Sequence, residues 1–212
     1  MIDKYLLICL ISVLFSCSEN SREIKNNSTP IDVKNKLQAN KNELQIAIQP
    51  FDDFPHQRAE FIFNSIKNIY SNTVLLTSIA LPSKAFYPSR NRYRADTIID
   101  WLSERANTNQ VITGLTTKDI SSTKDNYIDW GVMGLGQCPG NSCVISSSRL
   151  KNLSNEQLFK VVIHELGHTQ GLEHCLVKSC FMRDAEGHNT TDEEIDFCPS
   201  CKKVLLSKGW KL

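Results

Sequence analysis

HELGHTQGLEHC, residues His164 to Cys175, holds three of the chain's five histidines, at 164, 168 and 174. His164 and His168 are four apart, so on an α-helix they stack on one face about one turn apart and can grip one metal ion. Gly171 suits the left-handed turn that ends a helix, after which His174 can return to the same ion. Three neutral imidazoles leave the fourth position of a tetrahedral zinc open to water, the catalytic arrangement rather than the closed structural one. Glu165, beside the first ligand, is placed to take a proton from that water. At average residue usage HExxHxxGxxH arises by chance in roughly one chain of this length in 10⁵. An incidental histidine helix is therefore a poor account of it.

The helix around this motif is legible upstream. Ser154 and Gln157 have capping-box spacing, and Leu158, Val161 and Val162 supply an apolar face. Further upstream, Leu44, Ile46 and Ile48 alternate as in a half-buried strand. Phe54 to Tyr70 reads as a helix with Pro55 near its first turn and Ile62, Ile66 and Ile69 on one stripe. Thr73–Leu81 reads as a buried strand, Arg94–Ala106 as a second helix and Gln110–Thr116 as a strand. Asp129–Gly136 and Cys143–Ser148 read as two strands joined by QCPGNS. This order predicts an α/β (α+β) single domain with a mixed β-sheet, an active-site helix and a small zinc-bound C-terminal subdomain.

The chain has 212 residues, 41% hydrophobic and 22% charged. That is enough for one domain with a core. A net charge of +1 gives no field that would recruit nucleic acid. The start, MIDKYLLICLISVLFSC, has a short head with Lys4 and an apolar run from Tyr5 to Phe15, too short to span a bilayer. Leu14-Phe15-Ser16-Cys17 resembles a bacterial lipobox. The reading is a signal peptide over residues 1–16 and lipidation of Cys17, against an ordinary cleaved signal or an uncleaved anchor. Several acyl chains on Cys17 would hold the protein stably at a membrane, as an extracytoplasmic bacterial lipoprotein. Residues 17–43 are rich in Asn, Ser and Lys and read as a flexible polar tether to a catalytic domain over 44–212.

Four of the eight cysteines follow the histidines: Cys175, Cys180, Cys198 and Cys201. Two close pairs of thiolates can close a structural zinc site; two disulfides are the alternative outside the cytoplasm. Pro199 suits the first turn of a following helix. Cys138 and Cys143, in QCPGNSC, are candidates for a disulfide across a hairpin tip. Thr191 to Glu194 has the spacing of another helix start.

HELGHTQGLEHC, then Cys180-Phe181-Met182, then Cys198-Pro-Ser-Cys201, resembles the archaemetzincins, whose pattern is HExxHxxGxxHC, four residues, Cys-x-Met, a loop and CxxC. ISSSRL, Ile145–Leu150, is similar to that family's edge strand and the Arg-Leu after it, more loosely. The resemblance implies a metzincin-like fold. It implies a catalytic zinc on His164, His168 and His174 with Glu165 as base, and a second, structural zinc on the four cysteines. It also implies a Met-turn at Met182. Two features depart from the family: the loop Arg183–Phe197 is slightly short, and the lipoprotein-type start is not a general family feature. The expected activity is zinc-dependent peptide hydrolysis by a monomer, on a peptide or protein substrate lying along the edge strand that ends near Ser148. A catalytically silent zinc-binding surface lipoprotein and a zinc hydrolase of non-peptide amides are the alternatives. Glu165 weighs against the first, because a structural site has no need of a base.

Overall fold

In the computed structural model, Ile46, Ile48, Val111, Leu115, Cys143 and Ile145 point to one face of a sheet, while Ala47, Ile112 and Val144 point to the other. Both faces are buried, which is why these strands read as near-continuous apolar runs. The structure describes residues 43–150, 154–185 and 187–212. The signal peptide, Cys17 and nearly all of the tether lie outside them. The chain divides into two units, Met1–Ala39 and Asn40–Leu212, and the second carries everything below.

The main sheet is built from β1 (Gln45–Pro50), β2 (Thr73–Leu75), β5 (Gln110–Thr116), β8 (Gly134–Gly136) and β9 (Ser142–Ser146). Their order across the sheet is β2-β1-β5-β9-β8. β2, β1, β5 and β9 run parallel, and β8 closes the row antiparallel to β9. Helices α1 (His56–Ile69) and α3 (Asn155–Thr169) cover one face, joined there by α4 (Pro199–Ser207); α2 (Ala95–Ser103) covers the other. The class is therefore the mixed α/β arrangement expected.

Several details differ from the sequence reading. A second sheet is formed by β3 (Phe86–Tyr87), β4 (Arg92–Arg94), β6 (Ile120–Lys124) and β7 (Tyr127–Val132), in the order β3-β4-β6-β7. Its strands are short and bound by charge: Arg92 pairs with Asp119 at 2.6 Å and with Asp129 at 3.1 Å. The expected strand Asp129–Gly136 breaks at Met133, the first part joining this second sheet and the rest the main one. The strand expected over Thr73–Leu81 pairs only to Leu75, with a lone bridge at Ile79. No helix starts at Thr191. The Thr191 hydroxyl donates to Asn189 and that of Thr190 to Glu194, so these side chains fix a turn instead. No helix among the described residues is long and apolar enough to cross a membrane.

Candidate metal centre and cleft

Helix α3 begins as its sequence dictates. The Ser154 hydroxyl accepts the Gln157 N–H at 3.3 Å. It thereby satisfies one of the helix's open donors. The Gln157 amide donates to Asp192 rather than returning to the cap. Leu158, Val162 and Leu166 are wholly buried, which fixes the rotation of the helix and turns the other face, with His164 and His168, to the cleft. The helix ends at Thr169, and Gly171 just beyond it, with a φ of 88°, makes the left-handed turn. The Leu172 N–H closes that turn on Gly167 O at 3.0 Å. Glycine is the residue that takes this conformation without strain.

The ring nitrogens of His164, His168 and His174 lie within 4.8 Å of one another. Nδ1 of His164 faces Phe181 O at 2.6 Å, and Nδ1 of His168 faces Leu172 O at 2.8 Å. A carbonyl oxygen accepts only, so each Nδ1 carries the proton and each Nε2 is left as a bare lone pair. Those two Nε2 atoms face each other at 3.0 Å. Two lone pairs at that distance repel unless a cation lies between them, so the donor set fits a divalent metal. Burial and the neighbouring His168 push the His164 pKa down to about 3. The ring is thereby kept neutral and ready to ligate. Nδ1 of His174 is 3.4 Å from Asp184 Oδ2, an orienting partner the sequence reading missed.

Glu165 is 7% exposed and lines the same cleft, which measures about 600 Å³. Burial pushes its carboxyl up to about 8, and the Gly136 backbone N–H acts in the other direction. β8 passes directly over this side chain. A Cβ at Gly134 would lie 2.5 Å from Glu165 Oε1, and one at Gly136 would lie 2.7 Å from Glu165 O. Only glycines allow the strand and α3 to approach so closely. β8 is an edge of its sheet and lines the cleft. The strand ending near Ser148, expected to be that edge, is β9, and β8 covers it along Gly134–Gly136. Trp130 on β7 reaches across the cleft toward the loop after Met182: a Cβ at Gly187 would meet its ring at 3.0 Å. Tyr93 and Tyr127 do not line the cleft; Tyr127 packs on Trp130 and Tyr93 on Phe86. Exposed His188 lines the cleft, and Glu173 is exposed outside it.

The sulfurs of Cys175, Cys180, Cys198 and Cys201 also lie within 4.8 Å of one another. All four are free thiols, and Cys175 Sγ stands 3.7 Å from Cys198 Sγ. That separation is beyond the reach of a disulfide. N–H groups of Val177, Met182 and Cys198 point at these sulfurs. The Cys201 N–H at the start of α4 and the neighbouring thiols draw the Cys198 pKa down to about 7. Burial pushes the Cys180 and Cys201 thiols up instead, and four soft sulfur donors brought together in this way suit a soft metal ion. Between the two clusters, Cys175 N–H bonds Met182 O at 2.7 Å, and Met182 packs under Gly167 of α3.

Cys138 and Cys143 are not bridged; both are free. Cys143 on β9 points into the core and donates to Thr113 Oγ1, whereas Cys138 is exposed and its thiol donates to Leu172 O. The hairpin turns the two side chains to different surroundings, which spacing alone does not reveal.

The model of Peptidase family M54 matches residues 52–207. The archaemetzincin of Haloquadratum walsbyi is 31% identical over 175 residues, covering 76% of this chain and 98% of the relative. That of Halobacterium salinarum is 30% identical over 178 residues, covering 77% and 100%. Among solved structures, the archaemetzincin of Methanopyrus kandleri superposes with a TM-score of 0.69 at 25% identity, covering 81% of this chain and 98% of the other. That of Archaeoglobus fulgidus, complexed with malonate, gives 0.65 at 28%, covering 76% and 99%.

Proposed function

Because the chain belongs to Peptidase family M54, the archaemetzincins, and is a zinc metallopeptidase, we propose that His164, His168 and His174 hold its catalytic zinc and that Glu165 is the general base. The observation that carries this reading is the convergence of three imidazole nitrogens within 4.8 Å on the wall of a cleft that also holds a buried carboxyl. Zinc in that position supplies Lewis acidity, lowering the pKa of water and polarising the scissile carbonyl. Glu165 takes the proton of the attacking water and returns it to the leaving amine. Close contact with β8 holds its carboxyl in one place through both transfers. An extended peptide would lie along the free edge of β8 and pair with its backbone.

The four thiolates would hold a second, structural zinc, giving two per chain, with Met182 as the Met-turn between the sites. Cys17 would anchor a catalytic domain over residues 44–212 by lipid to the extracytoplasmic face of a membrane, through a tether over 17–43. The motif at Leu14–Cys17 supports this. The protein would act as a monomer on peptide or protein substrates, without nucleic acid.

Zinc-loaded wild type and Glu165→Gln are incubated with a diverse peptide mixture and read by mass spectrometry, with metal counted on both. Cleavage by the wild type alone is the expected result. Equal cleavage by both would remove Glu165 from its role, and cleavage by neither at full zinc would favour a non-peptide amide substrate. For the anchor, radiolabelled palmitate should label the wild type and not Cys17→Ser; equal labelling would reject lipidation at this cysteine.

A further inference from the structure

One carboxyl in the cleft has no part in the chemistry above. Glu194 is 5% exposed and lines the cleft below α3. Its Oε1 accepts a hydrogen bond from the buried Thr190 hydroxyl at 2.7 Å. No basic nitrogen among the described residues pairs with it. Lys160, which lines the same space, directs its ammonium to Thr191 O at 2.9 Å and Glu156 Oε1 at 3.0 Å. The Arg183 guanidinium is engaged by Glu193. A buried carboxylate without a counter-ion is costly, and the cost falls when a cation joins it. Burial accordingly raises the Glu194 pKa, with Thr190, Lys160 and Arg183 acting in the opposite direction. Val161, near one turn before His164 on α3, is buried, lines the same cleft and offers an aliphatic wall. Lysine and arginine have this form: an apolar stem and a charged head.

We infer that Glu194 is a specificity-determining residue, receiving the lysine or arginine side chain of a substrate peptide beside the scissile bond, with Val161 against its methylenes. The inference rests on the peptidase reading and says which peptides the cleft prefers. It makes Glu194 the counter-ion of the guest and leaves Glu165 alone with the proton transfers.

The test uses the full-length zinc-loaded protein in detergent and paired peptides that differ at one position. Lysine or norleucine, which has a similar stem and no ammonium, is placed in turn on either side of the bond. Two quantities are read: kcat/KM on the wild type, and Kd on Glu165→Gln by calorimetry, which needs no turnover. A charge-assisted hydrogen bond in a buried site predicts about tenfold to hundredfold preference for lysine at one of the positions. In Glu194→Gln that preference should fall to about threefold or less. If Glu194→Gln does not fold, Glu194→Asp replaces it, and its shorter reach should shift preference from lysine toward the longer arginine. Equal affinity for lysine and norleucine at both positions would overturn the inference, as would a lysine preference that survives in Glu194→Gln. Binding with the expected ratio but no cleavage by the wild type would sink the peptidase reading and leave the pocket assignment standing. No binding of any peptide would overturn both.

Discussion

Replacing Gly134 with alanine tests whether β8 holds Glu165, the proposed base. The added Cβ would lie 2.5 Å from Glu165 Oε1, 2.6 Å from Cγ and 2.8 Å from Cδ. Unbonded carbon and oxygen rest comfortably only near about 3.5 Å, so carboxyl and strand must separate by about 1 Å. The carboxyl has little room to yield, because Glu165 is 7% exposed on a helix whose other face is wholly buried. A misplacement of about 1 Å in a reacting group costs about 10² in rate, or about 2.7 kcal/mol of transition-state stabilisation. Overpacking should cost about 1–3 kcal/mol of stability, a fall of a few degrees in Tm. The assay compares kcat, KM, zinc content and Tm of wild type and Gly134→Ala. The expected pattern is kcat down about 100-fold with zinc content intact and KM within about threefold. A fully zinc-loaded, folded Gly134→Ala with kcat within about threefold of wild type would show that the close approach does not hold the base.

Three further outcomes are expected. Cys198→Ser should lower retention of both metals under dialysis, since Cys175 and Met182 share a backbone bond between the two clusters; a full, tightly held catalytic zinc in that variant would contradict the link. Leu158→Ala, at a wholly buried site under α3, should cost about 2–5 kcal/mol in denaturant unfolding, and a loss below about 1 kcal/mol would mean the helix is not anchored by this face. Alkylation of the native zinc-loaded protein, mapped by mass, should tag Cys138 and spare Cys143. Chelation should then expose Cys175, Cys180, Cys198 and Cys201 while Cys143 stays protected. Protection of Cys138 before reduction would restore its bridge to Cys143.

The helix of the site was legible because three signals agreed on it: a cap at Ser154, an apolar stripe at Leu158, Val161 and Val162, and donors four apart. The β5 strand was legible for a different reason. Gln110–Thr116 is a short apolar run buried throughout, and its bounds match those expected. The second sheet escaped because β3 and β4 have two and three residues, and β4 is held by the ion pairs of Arg92 and Arg94 rather than by an apolar face. Such short strands leave no period to detect. Metal donors announce themselves by residue type, so the histidines and thiols were found together. Their supports at Phe181 O and Leu172 O are backbone atoms, which any residue would offer. The glycines over Glu165 could have been found. Three glycines fall within Asp129–Gly136. They weaken a strand unless another backbone or side chain must come close.

The bond from the Cys175 amide to the Met182 carbonyl has a consequence in time. A ribosome delivers His164, His168 and His174 before it delivers Cys198 and Cys201. The ring presenting the third histidine is backed by a cluster whose last two thiols arrive late. A nascent chain thus emerges with the hydrolytic motif in place before the brace that completes it. On the proposed metal assignment, such an enzyme would gain its hydrolytic power only when almost all of it has been made.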